Sequence, residues 1–337
     1  MSLAARSSVS CSGASYVTLI SGARYAAAAA CLPHQLQLVG SSCPLMLVYD
    51  DLDPLLPIEI LQDAYGVKNL ISLSHLKHRF ARWQNATQEL HGADVGRRLY
   101  ESMETHNTHQ KLWLWALPLQ RAVFLDIDML VLQNVDSLLT INMNETASKD
   151  TVGAVTCKSK YGERFFNSGL LVFRPSFRML SRLLRIGRWA SPPWNGHIPH
   201  ANEQWPDICA PAIDPHAARK MFPNASNALA ACRARYGPGR QPGMMVKACE
   251  SKFTDQSIFN HAFPRHVSLA RSFNDASHFR LDVSHIVHFV GEPKPWSHSK
   301  SRRGLEPMRA NATKEWRRRC APLLGTTGNV TSPHAQG

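Results

Sequence analysis

No stretch of the chain reaches the roughly 18 consecutive apolar residues of a membrane-spanning helix. The longest candidate, residues 26–31, is an alanine run beside polar residues. The eight cysteines (11, 31, 43, 157, 209, 232, 249 and 320) contain no CxxC and no zinc-like spacing, which argues against sulfur-ligated metal. No GxGxxG follows the first apolar segment, so the dinucleotide fingerprint is missing. Acidic residues are absent before Asp50, while the formal net charge is +13. No recognition helix, RNP-like aromatic pattern or zinc finger accompanies that charge, so nucleic acid is not expected as a partner.

What is present suits a large α/β domain. The chain has 337 residues, 44% of them hydrophobic, enough for a sizeable core. Apolar segments at 16–20, 44–50, 69–73, 121–132, 152–156, 168–173 and 284–288 read as strands. Helical segments are expected at about 24–38, 54–64, 111–119, 176–189 and from 253 onward. Their alternation points to a mostly parallel central sheet flanked by helices. Residues 74–108 are polar and rich in His and Arg, without a clear pattern. Residues 190–250 are rich in Pro, Trp, Asn and Gly, contain three cysteines, and read as an irregular insertion.

The segment RAVFLDIDMLVL, residues 121–132, organises the rest. It is an apolar run broken only by Asp126 and Asp128. It leaves no polar face for solvent and belongs in the middle of a sheet. If extended geometry persists through Ile127, both carboxylates fall on one side. Two carboxylates so placed repel unless a cation lies between them, and Mg²⁺ or Mn²⁺ suits such oxygens. An isolated DxD also fits a cap or turn at a strand end.

Three blocks give that pair its context. KLWLWAL at 111–117, with the DxD segment and LVLQNVD at 130–136, is followed by FNSGLLVFRP at 166–175 and HFVGEPKPW at 288–296. In this order they resemble the core of glycosyltransferase family 8, the glycogenin-like enzymes. The resemblance runs from about residue 16 to 296. It implies a GT-A type fold and transfer of a hexose from a UDP-linked donor, with retention of anomeric configuration.

By resemblance, Asp126, Asp128 and His288 are metal ligands, and the O₂N set suits Mn²⁺ somewhat better than Mg²⁺. Thr18, Leu19 and Tyr25 would line the nucleotide, Lys111 and Ser168 the donor, and Gly291 with Lys294 the pyrophosphate. Asn167, Asp255 and Gln256 would lie at the transferred sugar. The family usually carries a nucleotide-contacting Arg near Arg97 and Arg98. Lys252 stands where glycogenin has another aspartate, which hints at a different sugar or acceptor. No tyrosine occurs from His261 to His285, so an external carbohydrate, lipid or protein acceptor is expected rather than self-glucosylation.

The expected organisation is a flexible N-terminus at 1–14, a catalytic domain at 15–300 and a basic, flexible C-terminal tail at 301–337. Residues 1–13 are rich in Ser and Ala and read as a frayed terminus. Five Asn-x-Ser/Thr sequons, at Asn85, Asn144, Asn224, Asn311 and Asn329, together with Cys209, Cys232 and Cys249, favour a secretory lumen with a disulfide or two. The absence of a leader favours the cytoplasm, and localisation stays open between them. A nucleotidyltransferase would want a better glycine- and lysine-rich loop than residues 21–24. A non-catalytic polyanion binder fits the charge but does not need Asp126, Asp128 and His288 together.

Overall fold

The computed structural model describes residues 11–54, 56, 58–63, 69–91, 107–143, 150–158, 164–190, 255–291, 293–297 and 307–324. Strand β1 (Ala14–Ile20) is buried along almost its whole length. A strand apolar on both faces needs partners on both edges, and β1 pairs in parallel with β2 (Leu45–Tyr49) and with β4 (Arg121–Leu125). β3 (Leu70–Ser72) extends the sheet beyond β2, again in parallel. On the other side, β7 (Arg164–Phe173) runs antiparallel to β4, β6 (Gly153–Lys158) antiparallel to β7, and β8 (Val267–Leu269) parallel to β6. The order is β3-β2-β1-β4-β7-β6-β8, and the sheet is mostly parallel.

Helices cover both faces. On one lie α3 (Leu73–His91), the 3-10 segment Asn107–Ala116, α4 (Phe177–Ala190) and α5 (Asp255–Ala262). Trp115 is their hub, stacked 4.2 Å from Phe173 and tilted against Phe259 at 5.1 Å. α3 occupies part of the stretch that showed no sequence pattern. Its stripe of Leu73, Leu76, Phe80 and Trp83 keeps helical spacing, but histidines and arginines between them dilute the signal. The insertion at 190–250 and Arg97 and Arg98 lie outside the described residues, apart from the last residue of α4.

The other face is packed by α1 (Ala26–Leu38), the two-stranded sheet of β5 (Met129–Val131) and β9 (Ile286–His288), and α6 (Pro307–Leu324). α2 (Ile58–Asp63) lies at the β2–β3 connection. Gln35 of α1, fully buried, accepts the Val131 N–H at 2.7 Å and so satisfies an edge donor of β5.

Helix α6 corrects the expected flexible tail over its residues. Ala312, Trp316 and Cys320 recur every fourth residue, and all three are fully buried against α1 and the small sheet. Arg317 and Arg319 between them donate into the fold, while Arg318 is exposed and pairs with Glu315. Arg319 donates to the Val131 carbonyl at 2.7 Å, and Arg317 donates to the carbonyls of Pro295 at 2.7 Å and Ser297 at 3.1 Å.

Disulfides join Cys31 to Cys320 and Cys11 to Cys43. The cysteines singled out in the insertion lie outside the described residues. Cys31–Cys320 fastens α6 to α1 across 289 residues of chain. A Cys31→Ala/Cys320→Ala protein is therefore expected to lose about 2–5 kcal/mol of unfolding free energy, read by chemical denaturation. An unchanged midpoint would show that packing of Trp316 alone holds the helix.

Candidate metal centre

The chain leaves the main sheet at Leu125 and joins the small sheet at Met129, so Asp126-Ile127-Asp128 forms a short turn between two sheets. This differs from an extended run through Ile127. β4 is paired with β1 and β7, whereas β5 is paired with β9, and the backbone must step from one set of partners to the other. The step is fixed at both ends. Asp126 N–H donates to the Gly169 carbonyl at 2.7 Å, and Phe289 N–H donates to the Asp128 carbonyl at 2.9 Å. The two carboxylates still converge, at the carboxyl edge of the parallel strands, where open α/β sheets bind ligands.

Strand β9 supplies the third group. Met129 pairs with His288, which sets the imidazole beside the carboxylates. One ligand atom from each of Asp126, Asp128 and His288 lies within 4.8 Å of the others. His288 Nε2 is 3.1 Å from Asp128 Oδ1 and 3.9 Å from Asp126 Oδ2. Asp128 Oδ1 is buried without a hydrogen-bond donor. Two carboxylates, an imidazole and an orphaned buried oxygen are a donor set that fits a divalent cation.

Two lysines neutralise the cluster. Lys111, at the 3-10 segment, donates to Asp126 at 2.9 Å and lies 3.2 Å from Asp255. Burial alone would lower its pKa, but the two carboxylates raise it above the ordinary lysine value. Lys294 pairs with Asp128 and donates to the Phe289 carbonyl at 2.8 Å. Burial opposes ionisation of Asp128, yet His288 and Lys294 hold it well below the usual carboxylate range. At Asp126, burial raises the pKa against the pull of Lys111, and the charge of Asp128 adds to the rise.

Asn167, Ser168, Asp255 and Gln256 form the adjoining wall. Ser168 Oγ donates to Asp255 Oδ2 at 2.8 Å, and Asn167 Nδ2 donates to Gln256 Oε1 at 3.2 Å. Asn167 and Ser168 lie within β7 rather than at its start, because the strand begins at Arg164. Gly169, next along the strand, makes room for a side chain. A Cβ there would lie 2.2 Å from His288 Cε1 and 2.7 Å from Nδ1, so it is the His288 ring that needs the space. Gly291 has φ +75°, a left-handed conformation natural only to glycine, and faces open space.

Of the other expected donor contacts, Thr18 is fully enclosed in β1 and Leu19 nearly so. Tyr25 is half-buried, edge-on to Trp296 with ring centroids 6.0 Å apart. Trp296 in turn meets Trp316 of α6 at 5.6 Å, and Arg309 donates to the Pro293 carbonyl at 3.2 Å. The Gly291–Ser297 segment carrying Lys294 is thus braced from α6, a role invisible in the basic C-terminal sequence.

Asn274 and Asp275 were not singled out by sequence either. The Asp275 carboxylate accepts from the backbone N–H groups of Ser277, His278 and Arg280 and from Ser284 Oγ, closing the loop before β9. Burial alone would raise its pKa, but these donors hold it below the ordinary aspartate value. Asp275→Ala is expected to cost about 2–3 kcal/mol, because the buried Ser284 hydroxyl and three part-buried backbone N–H groups lose their acceptor. Since the folded-state pKa is depressed, the stabilisation is present above pH 3.8 and fades as the pH falls through the depressed value. Denaturation of wild type and Asp275→Asn along an acid series should therefore show the gap narrowing below about pH 4.

No protein-family profile and no curated sequence matches the chain. Among solved structures, the galactosyltransferase LgtC, in complex with donor and acceptor sugar analogs, is similar at a TM-score of 0.46 and 15% identity, over 94% of this chain and 98% of LgtC. The glycosyltransferase GlyE of Streptococcus pneumoniae TIGR4 gives 0.46 and 12%, over 93% of this chain and 63% of GlyE. The bifunctional glycosyltransferase WbbM gives 0.45 and 15%, over 84% of this chain; the chain spans 47% of WbbM, about half its length.

Proposed function

We propose that the chain is a metal-dependent glycosyltransferase that moves a hexose or related sugar from a UDP-linked donor, with retention, to a hydroxyl of an external carbohydrate, lipid or protein acceptor. The observation that carries this reading is convergence. Asp126 and Asp128, the Asn167–Gly169 segment, and His288 with Lys294 come from the three sequence blocks that resemble glycosyltransferase family 8, and they meet in one cluster around a cation-fitting donor set. A non-catalytic polyanion binder needs no such cluster.

Asp126, Asp128 and His288 would hold Mn²⁺, with Mg²⁺ as the other candidate. When bound, the ion neutralises charge on a diphosphate leaving group. Lys294 adds a point charge for the same diphosphate, and Gly291 lets the backbone turn there without a side chain. Lys111 holds Asp126 and Asp255 in fixed relation, so the carboxylates do not reorganise during the reaction. Gln256 Oε1 is occupied by Asn167 Nδ2 and the Ser168 N–H, which directs the Gln256 amide donors to a sugar hydroxyl. Both close contacts of Asp255 fall on Oδ2. Asp255 is the carboxylate nearest to a nucleophilic role, and same-face attack assisted by the departing phosphate is the route that needs no such nucleophile. The two disulfides, and the exposed sequons Asn85 and Asn311, favour an oxidising lumen as the place of action.

The test is donor hydrolysis. Purified protein is incubated with a panel of UDP- and GDP-sugars, with and without Mn²⁺, and free nucleoside diphosphate is followed. Manganese-dependent release from a UDP-sugar is expected. Retention on a heparin column with no nucleotide-sugar binding would replace this reading with that of a polyanion binder.

A further inference from the structure

We infer that Asn274 is a positioning residue that fixes the ring tautomer of His288 and so aims its Nε2 at the cation site. This rests on the metal-site reading above in its consequence, but not in its geometry.

The backbone N–H of Gly169 donates to Asn167 Oδ1 at 2.8 Å, so that atom of the Asn167 amide is its oxygen. Asn274 Nδ2 lies 3.0 Å from the same oxygen, and only the amide nitrogen of Asn274 can donate there. The other end of the Asn274 amide, its oxygen, then faces His288 Nδ1 at 3.0 Å. An amide oxygen only accepts, so Nδ1 must carry the ring proton. Nε2 faces the carboxylates, 3.1 Å from Asp128 Oδ1 and 3.9 Å from Asp126 Oδ2. With a cation seated between them it is the nitrogen left with a lone pair for the ion; without one, the Asp128 carboxylate draws a proton to Nε2 as well.

The arrangement is enclosed. Asn274 is 6% exposed and His288 4%, so water does not compete for these bonds. The ring cannot tilt away, because Gly169 leaves it no more than the volume of a missing Cβ. Asn274 is itself held by its place between the 3-10 turn Arg271–Phe273 and Asp275, whose N–H and C=O bond the backbone of β9. A histidine ligand oriented through its second nitrogen loses about 10- to 100-fold in metal affinity when that partner is removed.

The experiment has two readouts. In protein labelled with ¹⁵N-histidine, the His288 ring is assigned by its loss in His288→Gln and recorded with the diamagnetic ion Mg²⁺ in excess. The Nδ1–H tautomer is expected in the wild type and in Asn274→Asp, which keeps an acceptor at that point. Binding of Mn²⁺ alone, followed by the EPR signal of the free ion, is expected to weaken about 10- to 100-fold in Asn274→Leu and to be largely kept in Asn274→Asp. An Nε2–H tautomer in the wild type overturns the inference, as does wild-type Mn²⁺ affinity in Asn274→Leu. An Nδ1–H ring in a wild type that binds no Mn²⁺ supports the positioning role and sinks the metal-site reading. Should Asn274→Leu fail to fold, the tautomers of wild type and Asn274→Asp decide.

Discussion

Asp128→Asn is expected to abolish metal-dependent transfer while leaving a folded protein. Asp128 presents one oxygen to Lys294 and the other, without a donor, toward His288. The substitution keeps shape and removes the charge, and places an amide in a donor set that needs a carboxylate. Neutralisation of a departing diphosphate by a bound ion is worth several kcal/mol, so a loss of at least about 10³-fold in transfer is expected. Mn²⁺ binding should fall in parallel. The fold should survive, because Lys294 keeps the Phe289 carbonyl and the backbone turn is held by hydrogen bonds that do not involve the carboxylate. Circular dichroism and Mn²⁺ titration would check both halves, and near wild-type turnover would remove Asp128 from the proposed metal site.

Gly169→Ala should be the other severe change, and for a steric reason. A Cβ at 169 would meet the His288 ring at 2.2 Å, and the ring is buried and tied to Asn274 rather than free to swing. Either β7 shifts away from β4 or His288 leaves the carboxylates. Overpacking of this kind costs about 1–3 kcal/mol, and displacement of the imidazole should remove most of the Mn²⁺ affinity. Gly291→Ala makes the contrast: nothing lies within 4 Å of its Cβ position, but its φ of +75° penalises any side chain. There the expected cost is about 1 kcal/mol of backbone strain, with metal binding kept. If Gly169→Ala binds Mn²⁺ as well as Gly291→Ala does, the close packing of strand and ring is not what holds the site.

The parts of this protein that are local in sequence were legible. Apolar runs such as residues 16–20 and 121–125 announce strands, because a strand buried on both faces needs no polar residue. The DxD, the Asn-Ser-Gly segment and the His-x-x-Gly-x-x-Lys run each carry their chemistry within a few residues. Helix α6 was legible in part: Ala312, Trp316 and Cys320 repeat every fourth position, but the five basic residues of the helix suggested a solvated tail.

Sequence alone determined most of the strands, the carboxylate pair and, through the family resemblance, the histidine to go with it. Only the tertiary structure decided that Lys111 spans Asp126 and Asp255, that Gly169 makes room for His288, that Cys31 meets Cys320, and that Asn274 stands between Asn167 and the imidazole. These are contacts across 14 to 289 residues of chain. Nothing in the local pattern of a Lys, a Gly or an Asn specifies a partner so distant; the partner is set by which strands pair, and strand pairing is fixed by burial summed over the whole sheet.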